Sequence, residues 1–298
     1  MPERRLPAAP PAVWAMLATP FTDSALEVDH RSLRRYCDEV VTRGCAGVVV
    51  LGVVGEPATL TSRERVEVVA SALAAGVRVQ VGLMWPGAAA RAAEAGRLSA
   101  EFGEAIEAFL VPVGTDDPEV LAGELAHLHA EAGRPIVLQD YPGWSGVSIG
   151  VEQLAHAVAE VPAVTAVKCE APPTFARIGG LRRLLPDTPL MSGLGGLGLV
   201  DDLTSGASLV ACGTSRPEVI VAAARAWGSG DGRTARALVS SIGSTIGFET
   251  QPGTSIAIRK EHWRRQGVLS SSRVRNPTRP YEPAFAELSA AHGFPEPP

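Results

Sequence analysis

Lys168 is the residue whose type and position best fit covalent chemistry in this 298-residue sequence. It follows the apolar run 163–167, which is typical of a buried strand. An apolar environment disfavours the charged ammonium, and a neutral amine can attack a carbonyl carbon to form an imine. Position alone favours a simpler role, either an ion pair with Glu170 or Glu56 or a side chain that extends to solvent. The rest of the sequence has to decide between these roles.

Short apolar runs alternate with longer amphipathic segments along the chain, and this alternation is the main structural signal. The runs lack the period-two pattern of half-exposed strands, as expected for a parallel sheet lined with helices. The predicted strands are 15–21, 46–52, 77–83, 108–112, 135–141, 163–170, 189–193 and 207–213. The predicted helices include 29–43, 61–75, 87–102, 118–132, 151–160 and 174–184. Eight strands that each precede a helix predict a closed (β/α)8 TIM barrel, an α/β fold with its reactive groups at the carboxyl ends of the strands.

The sequence outside this repeat predicts two further regions. The proline-rich segment 1–12 is expected to be a mobile tail, because it buries too little apolar surface to offset the entropy of ordering. The barrel is assigned to 13–229, and helix-like apolar spacing predicts a C-terminal helical appendage over 230–298. Within the appendage, the charged segment 259–265 is interpreted as a solvated or inter-subunit helix face, and the final FPEPP as a mobile end.

Composition narrows the class of partner. The net charge of −5 and the lack of a long basic run argue against nucleic acid or an acidic membrane. No signal peptide or apolar run of spanning length is apparent, so no membrane contact is expected. The four cysteines lie apart without a C-x-x-C pair, which predicts free thiols in the cytoplasm, and the histidines lack metal-ligand spacing. The expected partner is a small molecule.

Six short motifs follow one another at the predicted strand ends. They are Thr19-Pro20-Phe21, Gly52-Val53-Val54-Gly55-Glu56, Ala58-Thr59-Leu60 with Glu64-Arg65, Pro142 with Gly146, Val167-Lys168, and Gly206-Ala207. In this order they resemble the motifs of the dihydrodipicolinate synthase and N-acetylneuraminate lyase family of homotetrameric barrels. The resemblance covers nearly the whole chain. It implies an imine between Lys168 and a 2-keto acid such as pyruvate, no cofactor, and a homo-oligomer that is a dimer or a tetramer.

The sequence departs from that family at the residues that bind substrate and move protons. Val53 and Val54 replace the hydroxyl side chains of the second-strand loop, and they retain only backbone N–H groups for a substrate carboxylate. Gln139 stands where the family has its catalytic tyrosine, and Trp144 where it has a substrate-binding arginine. We therefore expect a divergent member other than the synthase of the lysine pathway. Its pocket should be more apolar, suited to an apolar or aromatic aldehyde or a dehydrated sugar acid.

Tyr141 is a candidate for the missing proton carrier. Gln139 and Tyr141 are two residues apart on a strand, so their side chains share a face, and Tyr141 lies nearer the barrel mouth. Tyr141 is predicted to shuttle protons for an imine at Lys168 while Gln139 orients a substrate oxygen. The alternative is that Tyr141 only forms part of the pocket wall.

The loop after the seventh strand is the last candidate region. Residues 193–198 fit the G-x-G-x-x-G pattern of dinucleotide sites, but they follow the seventh strand rather than opening a βαβ unit. We interpret the glycines as a place where the backbone approaches a ligand. Ser192 and Gly193 are accordingly predicted to bind substrate, and a phosphorylated or extended substrate would fit there.

Together these features predict a class I lyase, either an aldolase or a related dehydratase, that forms its imine at Lys168. The alternatives are a dehydratase of 2-keto-3-deoxy sugar acids that uses the same chemistry, and a barrel that has lost catalysis and serves as a binding or regulatory protein.

Overall fold

The computed structural model describes residues 9–297, and its centre is a closed barrel of eight parallel strands. Each strand pairs with the next along the chain, and β8 closes the barrel against β1. The strands are β1 (Ala12–Met16), β2 (Gly47–Val50), β3 (Val79–Gly82), β4 (Ile106–Pro112), β5 (Ile136–Asp140), β6 (Val164–Cys169), β7 (Leu190–Ser192) and β8 (Leu209–Cys212). The predicted TIM barrel is confirmed.

Helices surround the barrel and continue beyond it. Those up to the end of the barrel are α1 (His30–Thr42), α2 (Ser62–Leu73), α3 (Ala88–Phe102), α4 (Pro118–Ala132), α5 (Pro142–Ser145), α6 (Val151–Ala159), α7 (Thr174–Leu184), α8 (Leu199–Ser205) and α9 (Pro217–Gly228). The C-terminal appendage contains α10 (Gly232–Ser241), α11 (Gly243–Glu249), α12 (Ser255–Arg265) and α13 (Ala286–Ala291). Thr61 caps α2 through reciprocal hydrogen bonds with Glu64.

Two separate apolar clusters follow from the alternation of side chains along each strand. The larger cluster packs the outer faces of the strands against the helices. The smaller one fills the barrel interior with Trp14, Met16, Val49, Met84, Ala108, Leu110, Val137, Ala166, Met191 and Ala211. A side chain two residues beyond any of these points in the same direction, toward the mouth of the barrel.

The first strand lies earlier than predicted, at 12–16 instead of 15–21. Ala12 pairs with Leu209 of β8, so the strand begins directly after the buried Pro11. Pro20 has no N–H group to donate to a ladder, and residues 18–20 belong to the loop that follows. The predicted tail 1–12 therefore loses Ala12 to the barrel, and its residues 1–8 lie outside the described part of the chain.

The charged segment 259–265 is mostly buried, and its interpretation as a solvated or inter-subunit face is wrong. In α12, Lys260 and His262 are fully buried; Lys260 forms an ion pair with Glu56, and His262 Nδ1 is hydrogen-bonded to Glu249 Oε1 at 2.7 Å. These partners make the burial of the two side chains possible. The C-terminal end is packed as well, since Phe294 is buried and stacks on His262 at 3.9 Å between ring centroids.

Two of the compositional expectations can be compared with the structure. All four cysteines are free and buried, as predicted. Among residues 9–297, no helix combines the length and the apolar character needed to cross a membrane.

Candidate active site

Lys168 lies near the carboxyl end of β6 and faces the barrel interior. Its neighbour two residues earlier, Ala166, belongs to the interior cluster, and the alternation of the strand carries Lys168 and Glu170 to the same face. Lys168 is 4% exposed and Glu170 is 6% exposed. The sequence therefore places an amine and a carboxylate side by side at the mouth of the barrel.

Glu170 accepts three hydrogen bonds that fix its carboxylate against the lysine. Its Oε2 accepts from Lys168 Nζ at 2.7 Å and from Gln139 Nε2 at 2.6 Å, and its Oε1 accepts from Leu194 N at 3.0 Å. The ion pair foreseen as the simpler role of Lys168 is thus present, and its partner is Glu170. Glu56 pairs with Lys260 instead.

Burial and neighbouring charges set the protonation of Glu170 and Tyr141. Burial acts to raise the pKa of Glu170, but Lys168, Leu194 N and Gln139 together bring it below its ordinary value, so Glu170 is a carboxylate at neutral pH. Burial raises the pKa of Tyr141, and the negative charge of Glu170 adds to the effect. The phenol of Tyr141 is therefore a proton donor at neutral pH, and Glu170 is the available base.

A cavity of about 640 Å³ opens above Lys168 and Glu170. Apolar residues such as Phe175, Leu197 and Ile256 form part of its wall. Charged and polar side chains also line it, namely Gln139, Tyr141, Thr174, Asp201, Asp202, Thr250, Ser255 and Arg259. The wall is therefore mainly apolar, as the valines of the second-strand loop indicated, with polar and charged groups set into it.

Most of the residues predicted to bind substrate line this cavity. Val53, Val54, Gln139, Tyr141 and Gly193 lie in its wall together with Lys168. Gln139 is 1% exposed, and its Oε1 has no hydrogen-bond partner among the described residues. The amide orientation follows from Glu170, because a carboxylate needs a donor and Nε2 supplies it.

Ser192 and Trp144 do not line the cavity. Ser192 follows the interior residue Met191, so its side chain points outward, where it donates to Asp202 Oδ2 at 2.6 Å. It joins β7 to α8 and supports the wall from behind. Trp144 lies on the short helix α5 and is 38% exposed.

The loop after β2 is held in place by residues of three other segments. The hydroxyl of Thr19 donates to Gly55 O at 2.7 Å, and Glu56 binds Lys260 and Arg275 N. The loop forms a 3-10 helix over Val53–Gly55, whose first N–H groups have no partner within the helix. Such groups are suited to bind a carboxylate.

Two residues gain a functional role from the structure: Glu170, expected only as an ion-pair partner of Lys168, and Arg259, expected only on a charged helix face. Glu170 had a signal, because its spacing of two from Lys168 on a strand puts both side chains on one face. Arg259 had none, since α12 reaches the barrel mouth only through the tertiary fold. The chain contains two lysines, and the second, Lys260, is fully buried beside Glu56, which holds its ammonium in an ion pair.

The chain is similar to members of one known protein family over most of its length. A model of the dihydrodipicolinate synthetase family matches residues 10–287. The 4-hydroxy-tetrahydrodipicolinate synthase of Mycobacterium leprae is 30% identical over 300 aligned residues, which cover 95% of this chain and 92% of the relative. The crystal structure of dihydrodipicolinate synthase from Rhodopseudomonas palustris superposes with a TM-score of 0.87 and 26% identity, covering 95% of this chain and 96% of that one.

Other relatives match over a shorter length. The 4-hydroxy-tetrahydrodipicolinate synthase of Synechococcus sp. is 32% identical over 206 residues, which cover 63% of this chain and 65% of the relative. The chain thus spans less than two thirds of that protein. The names of these relatives give no support to the expectation of a role other than the synthase.

Proposed function

Because the chain belongs to the dihydrodipicolinate synthetase family, we propose that it is a class I lyase that forms an imine between Lys168 and a 2-keto acid such as pyruvate. The observation that carries the proposal is the buried contact of 2.7 Å between Lys168 Nζ and Glu170 Oε2, at the base of the cavity. A lysine that only closed a structural ion pair would not need a cavity of this size above it.

Glu170 replaces the family's proton relay in this proposal. The ammonium of Lys168 transfers a proton to Glu170 Oε2, and the neutral amine attacks the keto carbon, whose C=O bond opens to an alkoxide. A proton moves from the nitrogen to this oxygen to give a carbinolamine. Glu170 then returns its proton to the hydroxyl group, water leaves, and the iminium pairs with the carboxylate. Lysine, 2-keto acid and product differ only by the water released.

The other lining residues orient the substrate. Backbone N–H groups of Val53 and Val54 bind the carboxylate next to the keto carbon. Gln139 Oε1, which lacks a partner among the described residues, accepts a hydrogen bond from a substrate hydroxyl. The protonated phenol of Tyr141 donates to a substrate oxygen during bond cleavage or formation.

The iminium then serves as the electron sink of the lyase step. The bond that breaks joins the carbon next to the imine carbon to the carbon that bears the hydroxyl group. Its electrons move into the iminium and form an enamine, while the Glu170 carboxylate takes the hydroxyl proton of the departing aldehyde. Protonation of the enamine and hydrolysis of the imine restore Lys168. The same iminium would support loss of water from a sugar acid, so aldolase and dehydratase activities share every residue of the site.

Borohydride trapping tests the proposal with an internal control. The protein is incubated with pyruvate and sodium borohydride, and the reduced adduct is mapped by mass spectrometry. We expect the adduct on Lys168 and none on Lys260, the other lysine of the chain, which is fully buried. Lys168→Ala should abolish the label. Absence of a label at Lys168 with pyruvate, 2-oxobutyrate and 2-oxoglutarate would overturn the lyase and favour a binding or regulatory protein.

A homo-oligomer, dimer or tetramer, and a cytoplasmic location remain predictions. Sedimentation velocity on the purified protein measures the oligomeric state.

A further inference from the structure

Arg259 is a buried cation above the barrel, and no carboxylate among the described residues pairs with it. It is 8% exposed, lines the cavity, and lies at the end of β8, where a methyl group on Gly213 would be 3.7 Å from its guanidinium carbon. Its Nε has no hydrogen-bond partner among the described residues, and no carboxylate of residues 9–297 lies within ion-pair distance. A buried arginine without a partner costs free energy unless something else supplies the anion.

Other cations of α12 do have carboxylate partners, unlike Arg259. Lys260 and Arg265, on the same helix, pair with Glu56 and Glu261. The carboxylate that Arg259 influences electrostatically is Glu249. Glu249 is already bonded to Ser215 and His262. Arg259 is therefore the cation on this helix that is directed to the cavity instead of to a protein carboxylate.

We propose that Arg259 binds a second carboxylate of the substrate, separate from the one next to the keto carbon. This inference rests on the proposed function for the position of the keto acid, and on the geometry of Arg259 for the second anion. Strands β6 and β8 are two positions apart in the barrel, which separates their ends by about 9–10 Å. Arg259 over β8 would thus bind a group several bonds away from an imine at Lys168.

The charged groups of the cavity wall other than Arg259 already have partners. Lys168 pairs with Glu170 and Asp201 with Arg236, while Asp202 accepts hydrogen bonds from the hydroxyls of Ser192 and Thr174. Arg259 is the cation left for a ligand, and one carboxylate is enough to pair with its guanidinium. The first turn of α12 also opens on the cavity through Ser255 and Ile256, and its dipole adds positive potential. The substrate class is a 2-keto acid with a second carboxylate.

Two probes of equal chain length test the second carboxylate. 2-Oxoglutarate carries it, and 2-oxopentanoate has a methyl group in its place. We expect Arg259→Met to raise the concentration of 2-oxoglutarate needed for half-maximal borohydride labelling of Lys168 by about 10- to 100-fold. The concentration of 2-oxopentanoate needed for half-maximal labelling should change less than about twofold. Arg63→Met, which removes an 88% exposed arginine side chain, is the matched control and should alter neither. Equal changes with both probes would overturn the proposal.

A binding measurement separates this proposal from imine chemistry. Glutarate, which has no keto group, should raise the thermal midpoint of the wild type and of Lys168→Ala, and should raise that of Arg259→Met less, because only the backbone N–H groups of Val53 and Val54 remain to bind a carboxylate. Pentanoate, which has one carboxylate fewer, should have a smaller effect. If no keto acid labels Lys168 but glutarate binding depends on Arg259, the proposed lyase activity is refuted and the anion site at Arg259 is supported. If Arg259→Met binds glutarate as tightly as the wild type does, the anion site at Arg259 is refuted.

Stability without ligand gives a third readout. A structural arginine would destabilise the protein when removed, whereas an unpaired arginine held for a ligand should not. We therefore expect Arg259→Met to unfold at the same temperature as the wild type or higher in anion-free buffer. Arg259→Lys, which keeps the charge, should retain part of the preference for 2-oxoglutarate. A clear loss of stability in Arg259→Met, with no change in that preference, would indicate a structural role.

Discussion

Replacing Glu170 by glutamine tests the central step, because it removes the base and nearly preserves the shape. The carboxylate has two donors at Oε2, Lys168 and Gln139, and a third at Oε1, Leu194 N. A glutamine has one acceptor oxygen, so it cannot serve both sides of this arrangement. Whichever way the amide turns, at least one buried donor faces an NH2 group, and the iminium loses its counter-charge.

The expected loss in rate is large. A positioned general acid–base contributes about 10²- to 10⁴-fold, which corresponds to roughly 3–5 kcal/mol at 1.36 kcal/mol per tenfold. Breaking a buried ion pair by removing one partner also costs about 3–5 kcal/mol of stability. The rate of imine formation should therefore be measured at low temperature, and circular dichroism should show that Glu170→Gln is folded.

The assay is single-turnover trapping. Enzyme and pyruvate are mixed, borohydride is added after increasing delays, and intact mass gives the fraction of Lys168 that has formed the imine. We expect the rate for Glu170→Gln to fall about 10²- to 10⁴-fold. In Glu170→Ala, added formate should restore part of the rate, because a small acid can occupy the space left by the carboxylate. A folded Glu170→Gln that forms the adduct within about threefold of the wild-type rate would refute the role of Glu170.

Three further predictions concern single residues. Tyr141→Phe should slow turnover about tenfold or more while leaving the imine rate nearly unchanged, and full turnover would exclude Tyr141 as a proton donor. Gly193→Ala would place a methyl carbon 2.4 Å from Glu170 Cγ, so imine trapping should fall at least tenfold, whereas Gly198→Ala, with its nearest atom at 3.6 Å, should keep the rate. Glu64 has a pKa of about 2, below its ordinary 4.5. Its stabilising contribution is therefore complete above pH 4.5 and disappears toward pH 2, and urea unfolding should show Glu64→Gln less stable than the wild type at pH 7 but not at pH 2.

The barrel could be predicted because its signals are local. Each strand is a short apolar run between polar segments, and residues such as Pro142, Pro217 and the capping Thr61 mark where helices begin. The first strand was misplaced because Ala15–Phe21 is as apolar as Ala12–Met16. Pro20, which cannot donate to a ladder, and the register with Leu209 of β8 separate the two ranges.

The site was predictable where it depends on strand alternation and not where it depends on the appendage. Lys168, Gln139 and Tyr141 follow interior positions of β5 and β6 by steps of two. Ser192 was misassigned because its strand, β7, is three residues long and gives no alternation to count. Trp144 was assigned through the family resemblance alone, and its place on α5 shows that a shared position in sequence does not fix where a side chain points.

Arg259 shows why the appendage belongs to the site. A buried ion pair between Lys260 and Glu56 of the second-strand loop, which are far apart in sequence, holds the helix of Arg259 against the barrel. Glu56 also accepts from Arg275 N, so the same carboxylate ties the loop expected to bind the keto acid to the segment after α12. A shift of that loop would therefore move α12 and Arg259 with it. The loop proposed to bind the first carboxylate and the helix that carries Arg259 are therefore linked through Glu56. A substrate with one carboxylate would contact only one of these two elements.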